Sequence, residues 1–532
     1  MLETSCHPPT HASCSRTWTP NLNVPRQTDD GNRKPSVKPS TLLTTIVTIV
    51  ARLSNIVLFA IMTPLLFAGL GEAMFGVYQL TQRIASFGGL TNLGATSYLK
   101  IRLNELSMNG SPGERRLVVG ECLVQWLALS PVLIVWLIVT GVIIKSQSSI
   151  DSMETVGVLI LLAITPIAQI VGIPQVAMLS QGVGYRSIPV TTIIMSTFSI
   201  AAALAASAGY GILGVSISLL LGVLTNSAIN IAQAKRDLIW FGLKWPKLSR
   251  VRPGLIGSAG ASIASLSYLG LQQAEIIAFG AIGGASVVAR LVLTCAGIQV
   301  LDMAARAFIS SNMYHMSPAI RNQDYASLSI SRKYVHNCIT VMYLAFLPAV
   351  IILVPAIVPY WVNGARLLES EICATIAIVS YIRVISQSDG MLLDQNREFY
   401  NKALMSAILV FVPVALTVVL TTVAFPLTQW YWILPISFGA YGFYVSNRCR
   451  QRLLTDRLRK ANWFIPLVAI LSAWAQNSIP AKGSLSGALW ATAFATTLSA
   501  IIILSDKGFR VTVARVGLRL VNLTTGLWRR GS

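Results

Sequence analysis

Five arginines lie inside long apolar runs of this chain: Arg52, Arg83, Arg290, Arg306 and Arg383. A guanidinium in hydrocarbon is costly, so it must face a partner or water. The arginine fork makes bidentate hydrogen bonds to the oxygens of a diphosphate. Arg52, Arg83 and Arg383 fall near the middle of their runs and are expected to contact an anionic ligand. Arg290 is a further candidate, although it lies near one end of its run and can snorkel to the interface. Asp302 stands one turn before Arg306, so that pair can neutralise itself. Any single arginine can instead be half of a structural ion pair between helices. The few acids in the same runs argue against all five being structural.

Those acids are Glu121, Glu275, Asp302 and Asp389. Glu121 and Asp389 fall near run ends, where water is expected to reach them. Glu275, with Gln272 and Gln273 beside it, lies deeper. It is expected to be the counter-ion of Arg52 or Arg83, with proton or Na⁺ binding as the alternative. Asp302 shares the counter-ion or coupling role. Tyr78 and Gln82, with Asn55, Gln79, Tyr268 and Tyr381, offer aromatic and amide surface of the kind that sugars prefer, or else pack helices. In the polar first forty residues, Cys6, His7, His11 and Cys14 have ligand types suited to zinc. Their spacing fits no common finger, so no metal is expected. No nucleotide loop, nucleophile arrangement or cofactor motif is present, and no enzyme activity is expected.

The elements that must hold these residues follow from composition. The chain has 532 residues, 54% hydrophobic and 11% charged, with a mean hydropathy of +0.64. Soluble domains carry about 25% charged residues. So few charges cannot cover a water-facing surface of this size. The chain is expected to be an all-α polytopic membrane protein. Fourteen runs of spanning length can be placed. They include approximately 41–68, 74–99, 155–180, 254–281, 286–310 and 335–359. Lys and Arg gather in alternate loops, and Arg332 and Lys333 fall in one of them. This alternation puts both chain ends on the cytoplasmic side of the cell membrane. The formal charge of +21 is thereby assigned to loops that meet anionic lipid headgroups, and nucleic acid is not an expected partner.

The sequence also repeats itself. "FAGLGEA" at Phe67–Ala73 returns as "FGAIGGA" at Phe279–Ala285, and "ARLSN" from Ala51 returns as "ASLSY" from Ala264. These matches keep nearly one register, with six runs in each half. The expected organisation is a disordered tail at 1–40, an N-lobe of six spans at 41–233 and a basic linker at 234–253. A C-lobe of six spans follows at 254–446, then two appended spans at 447–505 and a basic tail at 506–532. Two like-oriented lobes are the machinery of alternating access.

The stretch "LGEAMFGVYQLTQRIASFGGLTNLG" (Leu70–Gly94) resembles the signature of Wzx-like polysaccharide flippases of the multidrug/oligosaccharidyl-lipid/polysaccharide exporter superfamily. Leu70, Gly71, Glu72, Phe75, Gly76, Val77 and Tyr78 fit the pattern, while Asn92 stands where the family often has Asp. "PQVAMLSQGVGYR", "VPYWVNG" and "LLDQNREFYNKALMSA" resemble its later span ends. The resemblance implies a carrier of polyprenyl-diphosphate-linked oligosaccharide, in surface-polysaccharide (O-antigen or exopolysaccharide) biosynthesis, working beside polymerisation machinery. A cation-coupled multidrug exporter of the same superfamily and a peptidoglycan-precursor flippase remain alternatives. The loop "KIRLNELSMNGSPGERRLVV" lacks the signature of the major facilitator carriers.

Overall fold

In the computed structural model, the described residues are 39–88, 110–147, 150–247, 276–280, 283–321, 324–363, 365–395, 399–406 and 433–453, with scattered positions elsewhere. Among them there is no strand. The chain is an all-helical, multi-pass membrane protein. Seven helices are long and apolar enough to span a bilayer, or eight if one bent pair is counted as a span. The surface agrees with a lipid solvent. The helix Pro112–Gln147 turns Leu127, Val132, Val135 and Val142 outward, each more than half exposed. In water such a stripe would be an association patch, but in hydrocarbon it is the ordinary solvated face.

The first helical run, α1 (Pro39–Gly88), joins what the sequence separates into two spans. It breaks at Gly71, whose φ of 74° and ψ of 168° lie outside helical space and suit glycine. The break falls inside the expected connection, and the second arm is described as far as Gly88. Asn55 and Ser86 line one cavity, although a straight helix would hold them about 46 Å apart. The two arms therefore fold back on each other. Phe67 and Phe75 meet edge to face across the break, with ring centroids 5.6 Å apart.

The rest of the N-terminal half is α2 (Pro112–Gln147), α3 (Ser152–Val171), α4 (Ile173–Ser180), α5 (Gly184–Ser207) and α6 (Gly211–Asp237). The expected span 155–180 is thus two helices meeting at Gly172. Asp151 caps α3 by accepting from the Glu154 amide at 2.7 Å. Gly157 lets α3 and α6 touch, because a Cβ there would sit 2.6 Å from the Leu213 nitrogen.

In the second half, α7 (Gly283–Thr294) and α8 (Ala296–Ser310, continuing to Arg321) meet at a 62° bend. α9 (Tyr325–Pro348) passes through a π-helical turn, Ala349–Leu353, into α10 (Val354–Trp361). Pro348 and Pro355 flank that turn and each withholds an amide, which favours the looser spacing. α9 starts ten residues before the apolar run and carries Arg332 and Lys333 inside a helix, not in a loop. α11 (Ser370–Gln395), α12 (Phe399–Ser406) and α13 (Ile433–Leu453) complete the described elements. The tail 1–38 with its Cys/His cluster, Tyr268, Glu275, the "ASLSY" copy and most of the expected spans 7, 11, 13 and 14 lie outside the described residues.

The repeat has a backbone counterpart. Gly71 and Gly284 both take positive φ, 74° and 72°. They are 213 residues apart, one more than aligning the two motifs letter by letter gives. The two turns meet: a Cβ on Gly76 would lie 1.8 Å from the Ala285 carbonyl oxygen. Only glycine at 76 allows that approach.

Candidate functional site

A cavity of about 620 Å³ opens between the two halves of the chain. Both arms of α1 line it with Asn55, Tyr78, Gln79, Gln82 and Arg83. The opposite wall carries Gln299, Asp302 and Arg306 from α8 and Arg383 from α11. These α8 residues follow the bend at Cys295, which itself lines the cavity. α7 lines the cavity too, with Leu291 and Val292, but Arg290 is not among the lining residues.

Asp302 is the hub. Its Oδ2 accepts from Arg306 at 2.7 Å and from Arg383 at 2.7 Å. Its Oδ1 accepts from the Tyr343 hydroxyl at 2.7 Å and from the Ser380 hydroxyl. Helical spacing explains the convergence. Asp302 and Arg306 are four apart on α8, and Ser380 and Arg383 are three apart on α11, so each pair shares one face. Tyr343 of α9 reaches between them and stacks edge-on to Tyr381, with centroids 5.3 Å apart. The Asp302 carboxylate is 6% exposed, Arg383 7% and Arg306 25%. Facing them, Arg83 donates to Gln299 Oε1 at 3.4 Å, and Gln82 donates to the Tyr78 hydroxyl at 2.6 Å.

The charge balance decides what such a cavity can hold. Arg83, Arg306 and Arg383 stand against the single carboxylate of Asp302 among the described lining residues. Among the described lining residues the guanidiniums outnumber the carboxylate, with amides around them. The wall offers charge-assisted donors to an anion and hydrogen-bonding surface to hydroxyl-rich groups.

Of the residues singled out from the sequence, Tyr78, Gln82, Arg83, Asp302 and Arg383 come together in this cavity. Arg52 does not line it. It is exposed, and lies one turn before the cavity-lining Asn55 on the same helix face. Arg290 is held outside the cavity by Glu72, with Nε 2.6 Å from Oε1. That pair links the Gly71 turn to α7. Further along α1, the Trp361 Nε1 at the end of α10 donates to the Ala60 carbonyl at 2.9 Å.

A second buried cluster was not expected. Asp389 was anticipated near water, but it is fully buried. Arg332 clasps it with two bonds of 2.7 Å, Ser446 donates at 2.8 Å, and His336 Nε2 lies 3.0 Å away. Glu121 is buried as well. Among the described residues, no group of His, Cys, Asp and Glu is arranged to hold a metal ion.

No protein-family model matches the chain, and no curated protein does. Solved structures do. The chain resembles a multidrug resistance MATE family transporter of the MOP superfamily in its inward-facing conformation. The TM-score is 0.52 at 15% identity, covering 77% of this chain and 98% of that one. An outward-facing conformation gives 0.54 at 12%, covering 78% and 95%. A MOP superfamily transporter from Pyrococcus furiosus gives 0.51 at 14%, covering 78% and 94%; its structure is described under the words "reverse polarity of binding pocket". These likenesses establish the fold: a MATE-like transporter architecture.

Proposed function

We propose that this protein is an alternating-access flippase for a polyprenyl-diphosphate-linked oligosaccharide. On this reading it serves surface-polysaccharide biosynthesis in the cytoplasmic membrane, with both chain ends in the cytoplasm, and it performs no covalent chemistry. The observation that carries the reading is the convergence of Arg83, Arg306 and Arg383 on one amide-lined cavity, with Asp302 as the carboxylate among the described lining residues. A diphosphate would take the fork donors of Arg383 and Arg83, and the first sugars would meet Asn55, Gln79, Gln82 and Tyr78. The lipid tail would stay in the bilayer. Arg52, one turn before Asn55, would meet the headgroup on entry.

The contacts between the halves fit one stage of such a cycle. The Gly76–Ala285 contact and the Glu72–Arg290 pair gather at the end of the cavity marked by the two turn glycines, and the Trp361–Ala60 bond joins the halves about three helical turns further along α1. Opening that end requires these contacts to part. The second reading is a cation-coupled multidrug exporter. It draws on the fold likeness to multidrug transporters and would use Asp302 as the coupling carboxylate.

Reconstitution separates the two. Proteoliposomes carrying a fluorescent lipid-diphosphate oligosaccharide should show its arrival in the opposite leaflet. Arg383→Ala should slow that transfer at least about tenfold, the equivalent of one charge-assisted bond of ~1.4 kcal/mol. Undiminished transfer in the folded variant would rule out the diphosphate cradle. Export of cationic dyes without any lipid transfer would install the exporter reading.

A further inference from the structure

The chain leaving α6 does something a connecting loop need not do. Residues 238–247, "LIWFGLKWPK", are clamped against α2 on one side and present apolar side chains on the other. Leu238 and Trp240 are 6% exposed, whereas Ile239 between them is 96% exposed. Leu243 and Trp245 also face outward, Trp245 at 62%.

The clamp is a backbone fit. Arg116 Nε donates to the Trp240 carbonyl at 2.8 Å, and the Lys244 amide donates to the Arg116 carbonyl at 3.2 Å. The Arg115 guanidinium lies over the Trp240 ring, 5.7 Å from its centroid. A Cβ on Gly120 would sit 2.1 Å from the Lys244 carbonyl oxygen, so glycine there admits the segment. This is a fixed presentation of Ile239, Leu243 and Trp245, not a loose end.

The charges around them have one sign. Arg186, Lys235, Arg236, Lys244 and Lys247 are all exposed at this end of the bundle. Among the carboxylates there, Asp237 is buried beneath Arg186, with which it pairs at 2.9 Å, and Glu114 belongs to the cap of α2. The segment begins where a spanning helix ends, so it sits at headgroup depth. Tryptophan with apolar neighbours in a ring of cations is the composition that a lipid interface takes up.

We propose that residues 238–247 form an interfacial anchor that binds anionic phospholipid headgroups and fixes this end of the N-terminal half in the leaflet. The site is independent of what the cavity carries. Each cation near such a surface contributes about 1 kcal/mol, and the exposed apolar side chains supply the insertion.

The full-length protein in nanodiscs tests this. One set is phosphatidylcholine alone and the other is phosphatidylcholine with phosphatidylglycerol, both brominated near the headgroup. The emission lost in Trp245→Phe isolates the Trp245 component. That component should be quenched at least about twofold more with phosphatidylglycerol present. Lys244→Gln with Lys247→Gln changes exposed residues only and should erase the difference between lipids. Gly120→Leu should lift the segment and remove the quenching. A Trp245 component that is unquenched in both lipids overturns the proposal. So does equal quenching in both, which would mean insertion without headgroup recognition. Emission that shifts with protein concentration instead would assign this face to a second copy of the chain.

Discussion

Asp389 and Asp302 perform the same chemistry in two different solvents. Each is a carboxylate in the second half of the chain that gathers arginine and hydroxyl donors. Asp389 is sealed, with 0% exposure, and a single arginine answers it with two parallel bonds. Asp302 lines the cavity and holds two arginines through one shared oxygen, Oδ2. The first cluster is charge-balanced by Arg332. The second lines a cavity where a ligand can arrive. The lesson is that a membrane arginine acquires a function by standing beside a cavity that a ligand can enter, and not merely by being buried.

Breaking the sealed pair should have the largest effect. Arg332→Leu or Asp389→Asn leaves a partner stranded where water cannot follow, a loss of about 3–5 kcal/mol. Thermal unfolding of the detergent-purified protein should show it in both single variants. Arg332→Leu combined with Asp389→Leu should recover most of the loss, because the pair itself contributes little beyond satisfying its own charges. If the double variant is as unstable as the sum of the singles, the clasp is more than a neutralised pair.

Asp302→Asn should cost less in stability, since the cavity can hydrate the released guanidiniums. It should change binding instead. With the competing carboxylate neutral, the cavity gains a full positive charge toward an anion. The affinity for a water-soluble diphosphate headgroup should rise about tenfold, or ~1.4 kcal/mol. Titration calorimetry on the purified variant reads this directly. A weakened affinity would make Asp302 a positioning residue for Arg383 and not its competitor.

How much of this was legible depended on distance along the chain. The Asp302–Arg306 pair could be read because four residues is one helical turn. Arg383, Tyr343 and Ser380 could not be joined to it, because no local pattern ties α8 to α9 and α11. The polar start of α9, "YASLSISRKY", lies outside the apolar run but inside the helix, so hydropathy alone puts Arg332 in a loop. Glu72 was read only as part of a motif, although the glycine before it was the signal. A turn that needs positive φ fixes where the next side chain goes, and here it aims a carboxylate at Arg290. The repeated glycines were the most informative residues for the fold, while the arginines alone could not say which of them shared a cavity.

Glu72 completes the series as the most exposed of the three carboxylates, at 26%, with Arg290 at 32%. Water screens such a pair, so it should contribute about 0.2–1 kcal/mol. Glu72→Gln should therefore leave the unfolding temperature almost unchanged. Its effect should fall on the balance between states, because the pair exists only while the Gly71 turn rests against α7. Losing it should raise the population with that end open by about 1.5- to 5-fold, read as a longer spin-label distance between α1 and α7. High salt should shrink the difference between wild type and variant, since it screens the pair already. A distance distribution that does not move would place the whole closing energy in the Gly76–Ala285 approach. Gly76→Ala would then be the substitution that opens this end.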